Sequence, residues 1–278
     1  MTIALKIELL IATMFQEDYF LLDKMNVQSD AVVVNQCYKD SIEIFYYHGH
    51  KIKWINTTER GLSNSRNMAI KNSDADICLI CDDDECLKTN YRKTIEEAYQ
   101  IIPEADIIAF NYEKAGTLRY KKLINIENTK IKKSHYFKTY NSIRLSFKRK
   151  SIVDNNIYFD ARFGAGSNKI SCGEETVWQR QAQIKKLKRY SYPKNIAILH
   201  QGKSTWFSGL HEKYYYDIGA CLGINYGGLA YLLMFYYIFF IRGSNLSGIQ
   251  QMHWMMKGIL MFKRYGLSYE EYVKNGKN

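Results

Sequence analysis

Four consecutive acids, Asp82, Asp83, Asp84 and Glu85, follow the apolar run Ile77-Cys78-Leu79-Ile80-Cys81. A short, unbroken apolar run between polar stretches reads as a buried strand. Carboxylates side by side repel one another, and the end of a core strand is a costly place to keep them. A hard divalent cation offsets that cost, because Mg²⁺ and Mn²⁺ take carboxylate oxygens. A cation at the carboxyl end of a strand suits a phosphate-bearing ligand in an α/β fold. The other reading of the same residues is a solvated acidic turn.

Such a site needs a frame that brings strand ends together, and the order of apolar runs supplies one. Strands are predicted over 3–13, 31–35, 52–56, 76–81 and 106–111. Helices are predicted over 17–25, 63–72 and 89–102, with Ser63 placed to cap the second and Pro103 to stop the third. Alternation of this kind implies an α/β fold with a mostly parallel, doubly wound, Rossmann-like central sheet flanked by helices. Beyond 111 the pattern loosens. It gives a strand over 143–147, a glycine-bearing loop over 163–167, a helix over 174–187 and a last strand over 196–200. Glu174 and Glu175 open that helix, and Lys185, Lys186 and Lys188 close it, which suits the helix dipole at both ends.

The chain of 278 residues is 46% hydrophobic and has only two prolines. That is enough for one large α/β domain with an appendage. Its formal charge is +11, and twelve Lys and Arg against only Glu113 and Glu127 lie within 111–150. Tyr112, Tyr120, Tyr136, Phe137, Tyr140 and Phe147 are interleaved with those charges. The window suits an anionic partner (a membrane surface, a phosphorylated ligand or nucleic acid), or it is a solvated basic surface. Cys78 and Cys81 sit three apart in the proposed strand and so face opposite ways. No second Cys-x-x-Cys pair completes a zinc site, and reduced, buried thiols in a cytosolic protein are expected. Residues 1–6 lack the marks of a signal peptide and read as the start of the first strand.

The tail changes character. Residues 222–241 carry no charge, and Arg242 ends the run. Its length could cross a bilayer. Asn225, Tyr226, Tyr231, Tyr236 and Tyr237 lower its hydrophobicity, and tyrosine prefers the interfacial zone. Over 252–265, Trp254, Met255, Ile259, Leu260 and Phe262 oppose Lys257, Lys263 and Arg264, a pattern that suits a helix lying in the membrane interface. Attachment to one membrane face is the expectation; internal or oligomeric packing and a true span are the alternatives.

The stretch Arg60 to Glu85, RGLSNSRNMAIKNSDADICLICDDDE, resembles the donor-binding half of family-2 glycosyltransferases, the inverting enzymes of the GT-A fold. Gly61, Arg66, Asn67 and the acid cluster fall in place. Cys172-Gly173-Glu174-Glu175 resembles that family's Gly-Glu-Asp block. Leu199-His200-Gln201-Gly202-Lys203-Ser204-Thr205-Trp206 resembles the segment closing its catalytic domain. The resemblance implies a GT-A catalytic domain over 1–206, with a donor half over about 1–111 and an acceptor half over about 112–206. A helical, apolar and basic region follows over 207–278. Two places depart from the pattern: Ala12-Thr13-Met14-Phe15-Gln16-Glu17-Asp18 after the first strand, and Asn35-Gln36 where an acid is usual after the second.

By the same resemblance, Asp84 and Asp82 hold Mn²⁺ or Mg²⁺ as an Asp-x-Asp pair, and His200 completes the metal shell. Arg66, Asn67, Asp82, Asp83, Asn35 and Lys203 contact a nucleotide-sugar donor, expected to be a UDP-sugar. Glu175 is the catalytic base and Glu174 binds the acceptor, unless the two exchange roles. The implied acceptor is a lipid-linked oligosaccharide in capsule, O-antigen or exopolysaccharide synthesis. The chain would then work from the cytoplasm on the inner face of the cell membrane, held there by its basic window and C-terminal helices. Nucleic acid is not an expected partner, and a homo-oligomer is left open. A metal-dependent nucleotidyltransferase or phosphoryl-transfer enzyme shares the acids, but no Gly-x-x-x-x-Gly-Lys-Ser/Thr loop is present. A non-catalytic basic protein that binds membrane or nucleic acid explains the charge but not the acids.

Overall fold

The computed structural model describes residues 5–115, 130–200, 209–240 and 244–275. The chain divides into two compact units. One comprises residues up to 60, 64–158 and 181–202; the other comprises 61–63, 159–180 and everything from 203 on.

The first unit is built on one mixed sheet. Its strands are β1 (Ile7–Met14), β2 (Asp30–Gln36), β3 (Ser41–Tyr47), β4 (His50–Thr57), β5 (Ile77–Asp82), β6 (Glu85–Leu87), β7 (Ile107–Ala115), β8 (Lys132–Lys133), β9 (Leu145–Lys148) and β10 (Arg189–His200). They lie in the order β3-β4-β2-β1-β5-β9-β7-β10-β6, with β8 paired to β10. The block β4-β2-β1-β5 is parallel throughout, as the alternation of strands and helices requires. β9 enters antiparallel between β5 and β7, and β10 runs parallel to β7 and antiparallel to β6. Helices α1 (Phe20–Lys24), α2 (Leu62–Asn72), α3 (Tyr91–Ile101) and α4 (Arg149–Asp154) accompany these strands.

The central strands are buried along nearly their whole length, which is why they read as continuous apolar runs. α3 buries Tyr91, Thr94, Ile95, Ala98 and Tyr99, the spacing that lays one helical stripe on a sheet. It ends before Pro103, because a proline disfavours helical backbone in the residue ahead of it. Cys81 lies in the core with Leu79, Ile95 and Phe110. Cys78 meets Ser73 on the opposite side. All six cysteines are free thiols.

Four elements differ from the sequence reading. β3 forms a hairpin with β4 through His48 and Gly49, both at positive φ. It is an edge strand that exposes Ile42, Ile44 and Tyr46, so it never shows the dense apolar run that marks its neighbours. The helix expected over 17–25 shrinks to the five residues of α1. Ser63 lies inside α2 rather than capping it, and its hydroxyl donates to the Phe163 carbonyl at 2.7 Å. The last strand starts at Arg189, seven positions earlier than expected.

The second unit is mostly helical. α5 (Glu174–Ile184) begins in it, and α6 (Glu212–Tyr226), α7 (Ala230–Phe240), α8 (Gly248–Lys257) and α9 (Tyr269–Asn275) complete it. α8 starts at a capping box between Ser247 and Gln250 and continues as a π-helical turn, Gly258–Phe262. α6 crosses α8 and that turn at backbone distance. A side chain on Gly219 would fall on the Met255 backbone, and one on Gly258 on the Tyr216 carbonyl oxygen. Glycine is what allows so close a crossing. Asp217 is fully buried on α6. Its carboxylate accepts from the Ser171 backbone N–H at 3.0 Å and from the Ser171 hydroxyl, and it pairs with Lys213 at 3.4 Å.

The segment Glu212–Phe239 is long and apolar enough to cross a membrane, with a mean hydropathy of 1.5. Its first half, however, is the packed centre of this unit, and the helix breaks at Gly227, whose φ is +56°. The amphipathic stretch 252–265 also reads differently in three dimensions. Met255, Ile259 and Phe262, expected to lie in lipid, are buried in the unit's own core. For those three residues, internal packing is the correct reading.

Candidate functional site

The acid tetrad wraps a turn at the carboxyl end of β5. Asp82 is the last residue of β5, Asp83 and Asp84 make the turn, and Glu85 opens β6. Each acid has its own surroundings. Asp82 Oδ1 accepts from Arg66 Nη2 at 2.9 Å. Arg66 is only 2% exposed on α2, and the same nitrogen donates to Ser142 Oγ at 2.8 Å. Asp83 Oδ2 accepts from the Thr13 hydroxyl at 2.7 Å, and its carbonyl accepts from Lys24 Nζ at 2.9 Å. Glu85 is buried. Its Oε1 accepts the Asp82 backbone N–H at 2.8 Å, and its Oε2 has no hydrogen-bond partner. Burial, and then the Asp82 charge, push the Glu85 carboxyl well above the usual range.

Asp84, in the turn, has a half-buried carboxyl. Burial first, then Asp82 and Asp83, push its carboxyl up to about 6. Among the described residues, no other side chain hydrogen-bonds or ion-pairs with it. His200 is tied to it through the backbone: the His200 N–H donates to the Asp84 carbonyl at 3.0 Å, because β10 and β6 pair at Leu199 and Glu85. The fold therefore gathers Asp82, Asp83, Asp84, Arg66 and His200 at one end of the sheet.

Among the described residues, no three His, Cys, Asp or Glu side chains are grouped closely enough to hold a metal ion by themselves. That composition still fits a magnesium-like cation. Such ions take one or two protein carboxylates and fill the remaining positions with water and substrate phosphate. An under-neutralised Asp84 beside Asp82 is the carboxylate pair this requires.

The Arg66–Asp82 pair gives a stability prediction. Arg66→Ala leaves Asp82 and Ser142 without their buried partner and is expected to lower unfolding free energy by about 3 kcal/mol. That is the lower end for such pairs, because the Asp82 side chain is 28% exposed. Urea unfolding measures it; an unchanged midpoint shows that the pair anchors nothing.

Other predicted contacts fall out differently. Asn35 is buried with its amide in use: Oδ1 accepts from the Gln16 N–H at 3.0 Å, and Nδ2 donates to the Gln16 carbonyl at 2.9 Å and to Asn56 Oδ1 at 2.8 Å. In this structure it braces the segment after β1 instead of offering its N–H groups to a ligand. Asn67 is partly exposed on α2. Lys203, with the rest of 201–208, lies outside the described residues. In the basic window, Arg144 is a buried structural cation, bonded to the Phe110 carbonyl and Asn111 Oδ1 and lying over the rings of Tyr140 and Tyr112.

The sequence reading missed one group. Phe15, Tyr38 and Arg60 converge past the carboxyl ends of β1, β2 and β4. The Phe15 and Tyr38 rings lie 5.2 Å apart, and the Arg60 guanidinium lies 5.4 Å and 5.7 Å from their centroids. Phe15 sits at φ +54°, a conformation a bulky side chain rarely adopts. Only the strand order brings the three together.

In the second unit, Glu174 and Glu175 form the first turn of α5. Gly173, at φ +86°, precedes them, and a side chain there would fall on Cys221 Sγ. Gly164, at φ +104°, lies over Glu174: a Cβ at that position would be 3.1 Å from the Glu174 carboxyl carbon. The 163–167 loop thus packs against Glu174, which is buried, while Glu175 stays partly exposed. Of the two carboxylates, Glu175 is the more accessible.

A parallel α/β sheet with an acid turn at a strand's carboxyl end defines a ligand-binding enzyme frame, and comparison with known proteins makes the class specific. The model of the family described as Glycosyl transferase family 2 matches residues 29–172, just over half of the chain. The chain belongs to that family and is a glycosyltransferase. Among solved structures, S. aureus TarS 1-349 in complex with UDP-GlcNAc is similar over 93% of this chain and 73% of its own, at 15% identity and a TM-score of 0.51. TarS 1-349 in complex with UDP is similar over 97% of this chain and 77% of its own, at 14% identity and a TM-score of 0.50. These likenesses show the GT-A fold. No curated protein matches the chain.

Proposed function

We propose that this glycosyltransferase moves a sugar, with inversion, from a nucleotide-sugar to a lipid-linked saccharide, using Mn²⁺ or Mg²⁺ at the acid turn. The observation that carries this reading is the Asp84 carboxylate, pushed up to about 6 at the end of β5 in a chain of this family. UDP-sugars are the donors to try first, since TarS structures hold UDP-GlcNAc and UDP. Asp84 and Asp82 hold the cation, which when bound neutralises charge on the departing diphosphate. Arg66 keeps Asp82 in place. Phe15 and Tyr38 offer flat faces against which a base can stack. Glu175 takes the proton of the acceptor hydroxyl as that oxygen bonds to the anomeric carbon. The bond from that carbon to the phosphate oxygen breaks, and its electron pair leaves with the nucleoside diphosphate. Synthesis of a capsule, O-antigen or exopolysaccharide at the inner membrane face is the setting this chemistry suits.

The test is a panel of nucleotide-sugars, with and without Mn²⁺, assayed for nucleoside diphosphate release and for glycosylated lipid. Cation-dependent UDP release from one donor supports the proposal. Release of pyrophosphate with a new nucleotide-linked product would replace it with nucleotidyl transfer.

Asp84 also sets a pH dependence. Its folded-state pKa is raised, so in chelated protein it keeps a proton below about 6 and is ionised above. A cation needs the carboxylate, so cation binding expels that proton. Mn²⁺ affinity is therefore expected to fall as pH drops through about 6. Calorimetry in buffers of different ionisation enthalpy should detect proton release at the acid end and little above neutrality. Affinity independent of pH across that window contradicts the assignment.

A further inference from the structure

In the helical unit, α7 has the sequence Ala-Tyr-Leu-Leu-Met-Phe-Tyr-Tyr-Ile-Phe-Phe, with no charged residue. One side packs inward: Ala230 and Met234 are buried, and Tyr237 shares a 2.7 Å hydrogen bond with Tyr214. The other side is equally apolar but faces outward. Leu232, Phe235, Tyr236 and Phe239 are 67%, 50%, 63% and 81% exposed. Their spacing of i, i+3, i+4 and i+7 makes them one continuous stripe. Leu229 extends it at one end. Exposed Ile249 follows Gly248, where a Cβ would lie 3.8 Å from Ile238 of α7. A soluble surface rarely carries such a patch without an occupant.

We propose that this face of α7 is the surface by which the chain docks on an anionic lipid bilayer. Two observations favour lipid. First, the stripe is built of Leu, Phe and Tyr, the residues that settle at the boundary between acyl chains and headgroups. Second, its Leu229 end has a cationic rim. Lys263 Nζ lies 3.8 Å from where a Cβ on Gly227 would be, Arg264 is exposed, and the Arg180 guanidinium lies 5.5 Å from the Tyr226 ring. That rim complements phosphate headgroups. The placement narrows the lipid contact expected of the C-terminal helices to 229–239, since Met255, Ile259 and Phe262 are buried. Its biological sense rests on the proposal of a lipid-linked acceptor, but the measurement below contains no sugar donor, so either can fail without the other.

The experiment is co-sedimentation of the full chain with vesicles of phosphatidylcholine alone and of phosphatidylcholine mixed with phosphatidylglycerol. The wild type is expected to bind the mixed vesicles more tightly. The combined variant Leu232→Ser, Phe235→Ser, Phe239→Ser is expected to bind about tenfold or more weakly, with circular dichroism and the thermal unfolding midpoint showing that it is folded. Lys263→Ala is expected to lose only the preference for the anionic vesicles. If the triple variant does not fold, Phe239→Ser alone takes its place with the same direction of effect. Wild type that ignores both vesicles, or a folded variant that binds as well as wild type, overturns the proposal. So does a wild-type dimer in sedimentation velocity that the same substitutions split, since the face then belongs to a second copy.

Discussion

Glu175→Gln lowers the turnover number by about 10²–10⁴-fold, the range a positioned general base contributes, and leaves donor affinity unchanged. The amide keeps the size and the hydrogen-bonding shape of the carboxylate but accepts no proton at neutral pH. Glu175 opens α5 and is partly exposed, so the change adds no buried unpaired group and the fold should tolerate it. Two measurements distinguish a base from a merely structural acid. The loss falls on kcat while acceptor KM stays near the wild-type value, the split of a group that acts only in the transition state. Glu174→Gln is expected to act mainly on acceptor KM, because Glu174 is buried beneath Gly164 and is the less accessible of the two carboxylates. If instead Glu174→Gln removes turnover and Glu175→Gln only raises KM, the two acids have exchanged roles. If neither affects kcat, the base lies elsewhere.

The frame of this chain was legible wherever burial is two-sided. β1, β2 and β5 announce themselves because a parallel strand covered on both faces carries an apolar residue at nearly every position. The tetrad was legible for the opposite reason: four acids in a row after such a strand mark where it leaves the core. What the sequence hid depends on neighbours far away in the chain. β3 exposes Ile42, Glu43, Ile44 and Tyr46 and half-buries only Ser41, Phe45 and Tyr47, and its tight turn is marked only by His48-Gly49. Arg144 counted as surface charge in a basic window, yet it lies buried between Tyr112 and Tyr140. Phe15, Tyr38 and Arg60 come from three segments that meet only because β1, β2 and β4 end side by side. Asn35 is a donor contact by the family resemblance alone, and in the structure its amide bonds to Gln16 and Asn56. In the tail, hydrophobic periodicity identified 252–265 as amphipathic without revealing that α6 is what covers its apolar face.

The tetrad itself was read as one feature and resolves into separate tasks. Glu85 closes the turn on the Asp82 backbone, Asp83 is held by Thr13 and Lys24, and Asp82 is shared with Arg66. Asp84 is therefore the clean position at which to remove the cation site. Asp84→Ala is expected to cut transfer by about 10²–10³-fold, the scale of losing one preorganised electrostatic contact to the developing charge. It should not destabilise the fold, since no other side chain among the described residues bonds to that carboxylate and its own ionisation is opposed by burial and by two neighbouring aspartates. Asp82→Ala is a poorer probe, because it also strands buried Arg66. The decisive comparison is with chelation. Wild type treated with a chelator and Asp84→Ala treated with Mn²⁺ should reach the same low rate, and chelator should do nothing further to the variant. Full recovery of the variant by ordinary Mn²⁺ concentrations would show that the cation is held without Asp84. A wild type indifferent to chelation would remove the cation from the mechanism and leave the raised Asp84 as a proton-bearing acid at the strand end.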